Sequence, residues 1–157
     1  MSPLQWIALA GVLGSGAIGG VFLAFSSFVM PALRRIPAEQ GIHAMQTINV
    51  TVFHPTMMGP FFGTFLLSIG AVVFAALNLG EPGALALAAG GALYGVGTFL
   101  LTGFCNVPLN KRLETASADD AEGLAFWQHY LTRWTTWNHV RTVAALLATT
   151  AFALALV

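Results

Sequence analysis

MMGPFFGTFLLSIGAVVFAALNLGEPGALALAAGGALYGVGTFLLTGFC, residues 57–105, contains one charged side chain, Glu81. Glu81 lies in the turn-like Gly80-Glu81-Pro82-Gly83, and on either side Met57 to Gly80 and Gly83 to Cys105 carry no charge. A helix rising about 1.5 Å per residue needs roughly 20 residues to cross some 30 Å of hydrocarbon, and each run is long enough. The stretch reads as two membrane helices joined by a short turn. Upstream, Leu4 to Met30 is also free of charge. Downstream, Thr142 to Val157 would span only about 24 Å, so the last span has to begin near Asn138. That start draws Asn138, His139 and Arg141 into its first turns.

The whole chain follows the same pattern. Of 157 residues, 57% are hydrophobic and 8% charged, against roughly 25% charged in ordinary soluble domains. That excludes a water-soluble monomer and makes the lipid bilayer the expected surroundings. Lys+Arg and Asp+Glu number six each, so no basic surface invites a nucleic acid. Cys105 is the only cysteine and cannot form an internal disulfide. The first run lacks the basic leader of a cleavable signal and exceeds its usual apolar core, so it is expected to be retained. Apart from Glu81, every charge falls between Arg34 and Glu39 or between Lys111 and Arg141. All the basic residues therefore lie in the first and third connections or at the edge of the last span, which by the positive-inside rule places those connections in the cytoplasm and both termini outside.

The expected fold is all-α: an integral membrane four-helix bundle, one transmembrane domain over 1–157, with spans at about 4–30, 57–80, 83–105 and 138–157. The cytoplasmic segments are 31–56 and 106–137. Small residues four apart, Gly11, Ser15 and Gly19, then Gly59 with Gly63 and Gly91 with Gly95, are expected to let helices approach closely. A short helix is expected from Ala38 to about Thr51. Pro55 disfavours helical geometry in the residue before it, which places His54 at a break. An additional interfacial cytoplasmic helix is expected before the last span, capped by Ser117 or Asp119, with Asp120 and Glu122 at its positive end.

In that last segment Leu124, Trp127, Leu131, Trp134, Asn138 and Arg141 recur at steps of three and four and form one face. Phe126, Tyr130, Arg133 and Trp137 run beside it. One reading is an interfacial aromatic belt; the other is an aromatic wall leading to a polar cluster. Asn106 and Asn110 lie one turn apart around Pro108, at the same membrane face as Asn138, His139 and Arg141. Asn49 and His54 enter from the other connection. Amides, imidazole and guanidinium at that depth are costly unless used, although helix capping or headgroup contacts would also employ them. No phosphate-binding glycine loop, paired-histidine zinc motif or cysteine pair is present. His129 and His139 are about 15 Å apart on a continuous helix, which leaves no metal site expected, with His54 and His139 the remaining cross-helix pair.

Several stretches together resemble the anthrone oxygenase family of small membrane proteins, many of them bacterial proteins of unknown function. These are Gly20-Val-Phe-Leu-Ala-Phe-Ser-Ser-Phe-Val-Met-Pro-Ala-Leu33, Met45-Gln-Thr-Ile-Asn49, Asn106-Val-Pro-Leu-Asn110 and Trp134-Thr-Thr-Trp-Asn-His-Val-Arg141. The resemblance implies a bacterial inner-membrane protein. It implies oxidation of an anthrone-like phenolic or polyketide ring carbon to a quinone by O2 as co-substrate, without organic cofactor or metal. A chemical scheme for that activity assigns His139, or His54, as general base. Arg141 would stabilise the phenolate-like anion, Asn49, Asn106, Asn110 and Asn138 would orient its oxygens, and Tyr130, Trp134 and Trp137 would wall the substrate. Two rival expectations stand: a non-catalytic bundle acting as scaffold, transporter-like protein or accessory subunit, and a haem- or copper-binding redox protein. Self-association is left open.

Overall fold

The computed structural model describes residues 1–157 as five helices without strands: α1 (Pro3–Arg35), α2 (Ala38–Thr51), α3 (Pro55–Leu77), α4 (Ala84–Glu114) and α5 (Ala121–Leu154). α1, α3 and α4 are long and apolar enough to cross a membrane, with mean hydropathy 2.0, 2.1 and 1.7. α5 falls outside that group because Asn138, His139 and Arg141 dilute its apolar C-terminal half. The four long helices pack as a ring in which α1 and α4 each touch both α3 and α5. α2 lies across the end where α1 and α4 finish and α5 begins. The opposite end holds both termini and the α3–α4 turn, where Gly83 takes a φ of 84° that glycine adopts without steric cost.

Two sequence expectations are corrected, the N-cap of the last helix and the end of the third span. The expected cytoplasmic helix runs on into the last span as α5, 34 residues without a break, since no proline or glycine interrupts 124–154. Its N-cap is Asp120, whose carboxylate accepts from the Gly123 amide at 2.6 Å, whereas Ser117 and Asp119 hydrogen-bond to each other in the preceding turn. The third span does not stop at Cys105 but continues through Pro108 to Glu114.

The passage through Pro108 has a counterpart in α1. A proline cannot donate to the carbonyl four residues back, and its ring crowds that carbonyl. In both helices the turn before the proline widens to π geometry, Phe25–Val29 before Pro31 and Thr102–Asn106 before Pro108. Met30 N–H then donates to Phe25 and Val107 N–H to Thr102. A further π-turn occupies Gly95–Leu100. Widened turns of this kind bend helices and concentrate at functional sites.

Small residues hold the end with the termini together. Gly11 and Gly90 both press on the Phe152 ring, so that a Cβ on either would lie within 2.6–2.8 Å of it. Ser15 donates to the Gly11 carbonyl at 2.6 Å and bonds Thr149 across to α5 at 2.8 Å. Gly91 backs onto the Ser68 carbonyl. Gly59 and Gly63 have nothing within 4 Å of a would-be Cβ; the expected close contact is absent there because both face outward. Large side chains fill the other end. Trp127, Tyr130 and Trp134 stack in series with ring centroids 5.7 and 6.0 Å apart. Trp127 lies against Gly41 of α2, and Gln46 pins α2 down by donating to the carbonyls of Leu113 and Ala116 at 2.9 and 3.0 Å.

Candidate functional site

Between the small-residue end and the aromatic end lies a cavity of about 250 Å³. Phe22 and Phe61 bound it on one side and Met45 and Trp134 on the other, and 14 of its 19 lining residues are hydrophobic. The π-turns of α1 and α4 contribute Phe25, Phe99, Thr102 and Gly103 to its walls. The polar residues on the lining are Asn49, Thr102, Asn110 and Arg141.

Arg141 dominates the site. It is 4% exposed, and no carboxylate pairs with it; the only ion pair is the exposed Arg112–Glu122 contact at 3.6 Å. Its guanidinium donates to Asn138 Oδ1 at 2.6 Å and Thr102 Oγ1 at 3.2 Å. Phe22 and Trp134 give it cation–π contacts, with ring centroids 4.1 and 5.1 Å from the guanidinium carbon. Guanidinium has five N–H donors, and the buried Nε has no partner. A buried cation without an anion is held at a cost of several kcal/mol. Neutral oxygens and π-faces offset only part of that, which leaves Arg141 an uncompensated positive charge at the cavity wall.

The amides divide into two groups. Asn138 is fully used inside the wall: its Nδ2 donates to the Phe22 carbonyl and to Ser26 Oγ, both at 2.8 Å, while its Oδ1 holds Arg141. It positions the guanidinium and does not line the cavity. Asn106 is buried behind the wall and donates to the Trp134 carbonyl at 3.3 Å. Asn49 and Asn110 line the cavity. Asn110 accepts from the Tyr130 hydroxyl at 2.8 Å, and burial raises the Tyr130 phenol above its ordinary value, so it stays a neutral donor. Asn49 Nδ2 and Trp134 Nε1 are buried and unpartnered, which adds three unused N–H groups to that of the Arg141 Nε.

The structure does not bring the histidines to the cavity. His139 is exposed: it follows Asn138 by one residue, and about 100° of helix rotation turns it to the outer face. His54 is exposed at the α3 N-terminus, where its Nδ1 accepts from the Thr56 amide at 3.4 Å. Trp137 is half-buried beside Arg133, also off the lining. No three His, Cys, Asp or Glu side chains converge anywhere in the molecule.

Phe22, Ser26 and Thr102 belong to the site without having been singled out from sequence. Ser26 inside α1, and Thr98 with Thr102 four apart in α4, are polar groups at membrane depth. That signal was present in the sequence. The face carrying Asn138 and Arg141 was legible, but its partners across the bundle were not.

Most of the residues that line the chamber, with the guanidinium and one of the two amides among them, lie between Val52 and Arg141. A family model described as anthrone oxygenase matches residues 52–151, well over half of the chain. The chain belongs to the anthrone oxygenase family. No curated protein and no solved structure matches it. The region shared with the anthrone oxygenase family contains Asn106, Asn110, Trp134, Asn138 and Arg141, while Phe22, Met45 and Asn49 are supplied from before it.

Proposed function

We propose that the protein is a membrane oxygenase that oxidises an anthrone-like phenolic or polyketide substrate to a quinone, with O2 as co-substrate and no further cofactor. The observation that carries this reading is Arg141: a buried guanidinium without a carboxylate, at the wall of an apolar cavity. In the reaction an anthrone and O2 give the anthraquinone and water. The ring carbon first loses a proton, and the resulting anion places its charge on the ring oxygen. Arg141 stabilises that oxyanion, Asn49 and the Trp134 indole N–H add donors, and the apolar walls strengthen each of these interactions. The electron-rich carbanion then passes electrons to O2, a carbon–oxygen bond forms, and the hydroperoxide loses water to leave the carbonyl.

No carboxylate or imidazole lines the cavity. In this scheme the proton leaves to water, and Arg141 acts by lowering the free energy of the anion. That removes His139 and His54 from the role of base. The C-terminal half of α5 from about Asn138 forms the fourth membrane span, with α2 and the basic connections in the cytoplasm and both termini outside. An inner bacterial membrane is the corresponding location.

The test is oxygen uptake and quinone absorbance with anthrone and the purified protein. Arg141→Met is expected to cut turnover by about two orders of magnitude, as loss of an oxyanion donor does. Its melting temperature should change little, because relief of a buried uncompensated charge offsets the loss of the hydrogen bonds to Asn138 and Thr102. His139→Ala and His54→Ala are expected to keep most of the activity. An Arg141→Met variant that melts earlier but turns over normally would assign the guanidinium to structure and support the non-catalytic bundle.

A further inference from the structure

The exposed residues of the cavity lining are not its polar ones. Arg141, Trp134, Phe22 and Phe61 are each less than a tenth exposed, whereas Phe53 is 74% and Phe62 50% exposed, and Gly103 is also exposed. These three mark the mouth, where the α2–α3 junction and the first half of α3 face the second half of α4. No polar side chain lines it. The surface along its α3 and α4 sides is apolar as well, with Leu66 on α3 at 66%, Val96 on α4 at 63% and Phe104 on α4 at 79% exposure, while the exposed Thr51, His54 and Thr56 flank Phe53 at the α2–α3 junction. α3 and α4 are two of the helices long and apolar enough to cross a membrane. An opening between two such helices with an apolar rim is stable against hydrocarbon, whereas water there would have to solvate exposed phenyl groups, which is unfavourable in proportion to their area.

Below the rim, Phe99 stacks on Phe65 at 3.7 Å between centroids and meets Phe61 and Phe62 at 5.0 and 5.3 Å. This aromatic floor closes the gap between α3 and α4 on the side of the termini. Access therefore runs over it, past Gly103, toward Arg141. Gly103 has no heavy atom within 4 Å of a would-be Cβ, so the opening passes beside bare backbone.

We infer that the cavity is filled sideways from the bilayer: its ligand is a lipid-dissolved aromatic weak acid that enters between α3 and α4 beside Gly103 and meets Arg141 with its acidic oxygen. The inference rests on the proposed function only in taking this cavity as the substrate site. The occupant follows from charge complementarity, because a wholly apolar lipid chain would leave the Arg141, Asn49 and Trp134 N–H groups unmatched.

Two measurements test it. In a Cys105→Ser background, Gly103→Cys carrying a nitroxide in phosphatidylcholine vesicles should collide freely with O2 and poorly with a water-soluble nickel chelate. The reverse pattern places the mouth in water and overturns the inference. In the second, Gly103→Trp should plug the mouth and lower kcat/KM for anthrone by about tenfold or more, while Gly70→Trp, another outward glycine with open space around it, keeps the wild-type value. Wild-type kcat/KM in a folded Gly103→Trp protein overturns the inference. If that variant does not fold, the nitroxide measurement decides. If the wild type does not oxidise anthrone, the proposed function fails separately, and the nitroxide measurement, which needs no turnover, still decides whether the mouth faces hydrocarbon or water.

Discussion

At the end of the ring that carries both termini, the helices meet through Gly11, Gly90, Gly91 and Ser15, close enough that Phe152 lies against glycine backbone; at the other end they are held apart by Trp127, Tyr130 and Trp134. The first end is continuous helix. At the second, the π-turns before Pro31 and Pro108 and the break before Pro55 interrupt three chain segments. The cavity sits where one regime gives way to the other. Membrane helices approach as closely as their smallest contact residues permit, so a chamber forms where small residues stop and widened turns push the helix axes apart. Arg141 is placed at that junction, one helical turn beyond Asn138 on the inner face of α5.

The comparison can be broken most severely at the aromatic end. Trp127→Ala should remove about 3–5 kcal/mol of stability, read as an early thermal transition of the detergent-solubilised protein, because α2 loses the ring on which Gly41 rests. A smaller loss is expected when the tight end is overfilled. Gly90→Leu collides with Phe152 and should cost about 1–3 kcal/mol, with activity retained per folded molecule since the cavity lies elsewhere; equal loss of turnover would show that the two ends are coupled. Asp120→Ala removes the carboxylate cap of α5 and is expected to cost about 1 kcal/mol, seen as faster amide exchange confined to the first turns. The smallest effect has the opposite sign. Gly59→Ala and Gly63→Ala meet open space and should raise stability by about 0.4–1 kcal/mol each, which contrasts with the loss at Gly90 and separates packing glycines from outward ones.

Much of the architecture was legible because hydrocarbon imposes a simple rule: charge-free runs of sufficient length become helices. α2 was legible from end to end, since Pro37 and Pro55 flank it and punctuate the chain. The continuity of α5 was legible from the single face that Leu124, Trp127, Leu131, Trp134, Asn138 and Arg141 share. Backbone geometry has no reason to break there. The run of α4 beyond Cys105 was missed, because a proline read as an end is carried within the helix by the π-turn before it.

The candidate site divides in the same way. Trp134, Asn138 and Arg141 share a face by helical periodicity, and the structure places all three inside. His139 lies next to them in sequence and points away, because adjacent helical residues diverge by about 100°. Asn138 looked like a binding group and is instead the fixed acceptor that holds Arg141.

The sequence by itself determined that the chain is helical, that its long charge-free runs suit a bilayer, where α2 lies, and that a guanidinium enters the apolar part of α5. Those properties follow from composition and period along one strand of chain. Tertiary structure decided which polar groups face a common cavity, that Phe22 and Thr102 complete the surroundings of Arg141, and that the histidines stay outside. These depend on the rotation of each helix about its own axis and on the offset added by the π-turns, and both are set by contacts between segments more than a hundred residues apart, such as Asn138 with Phe22.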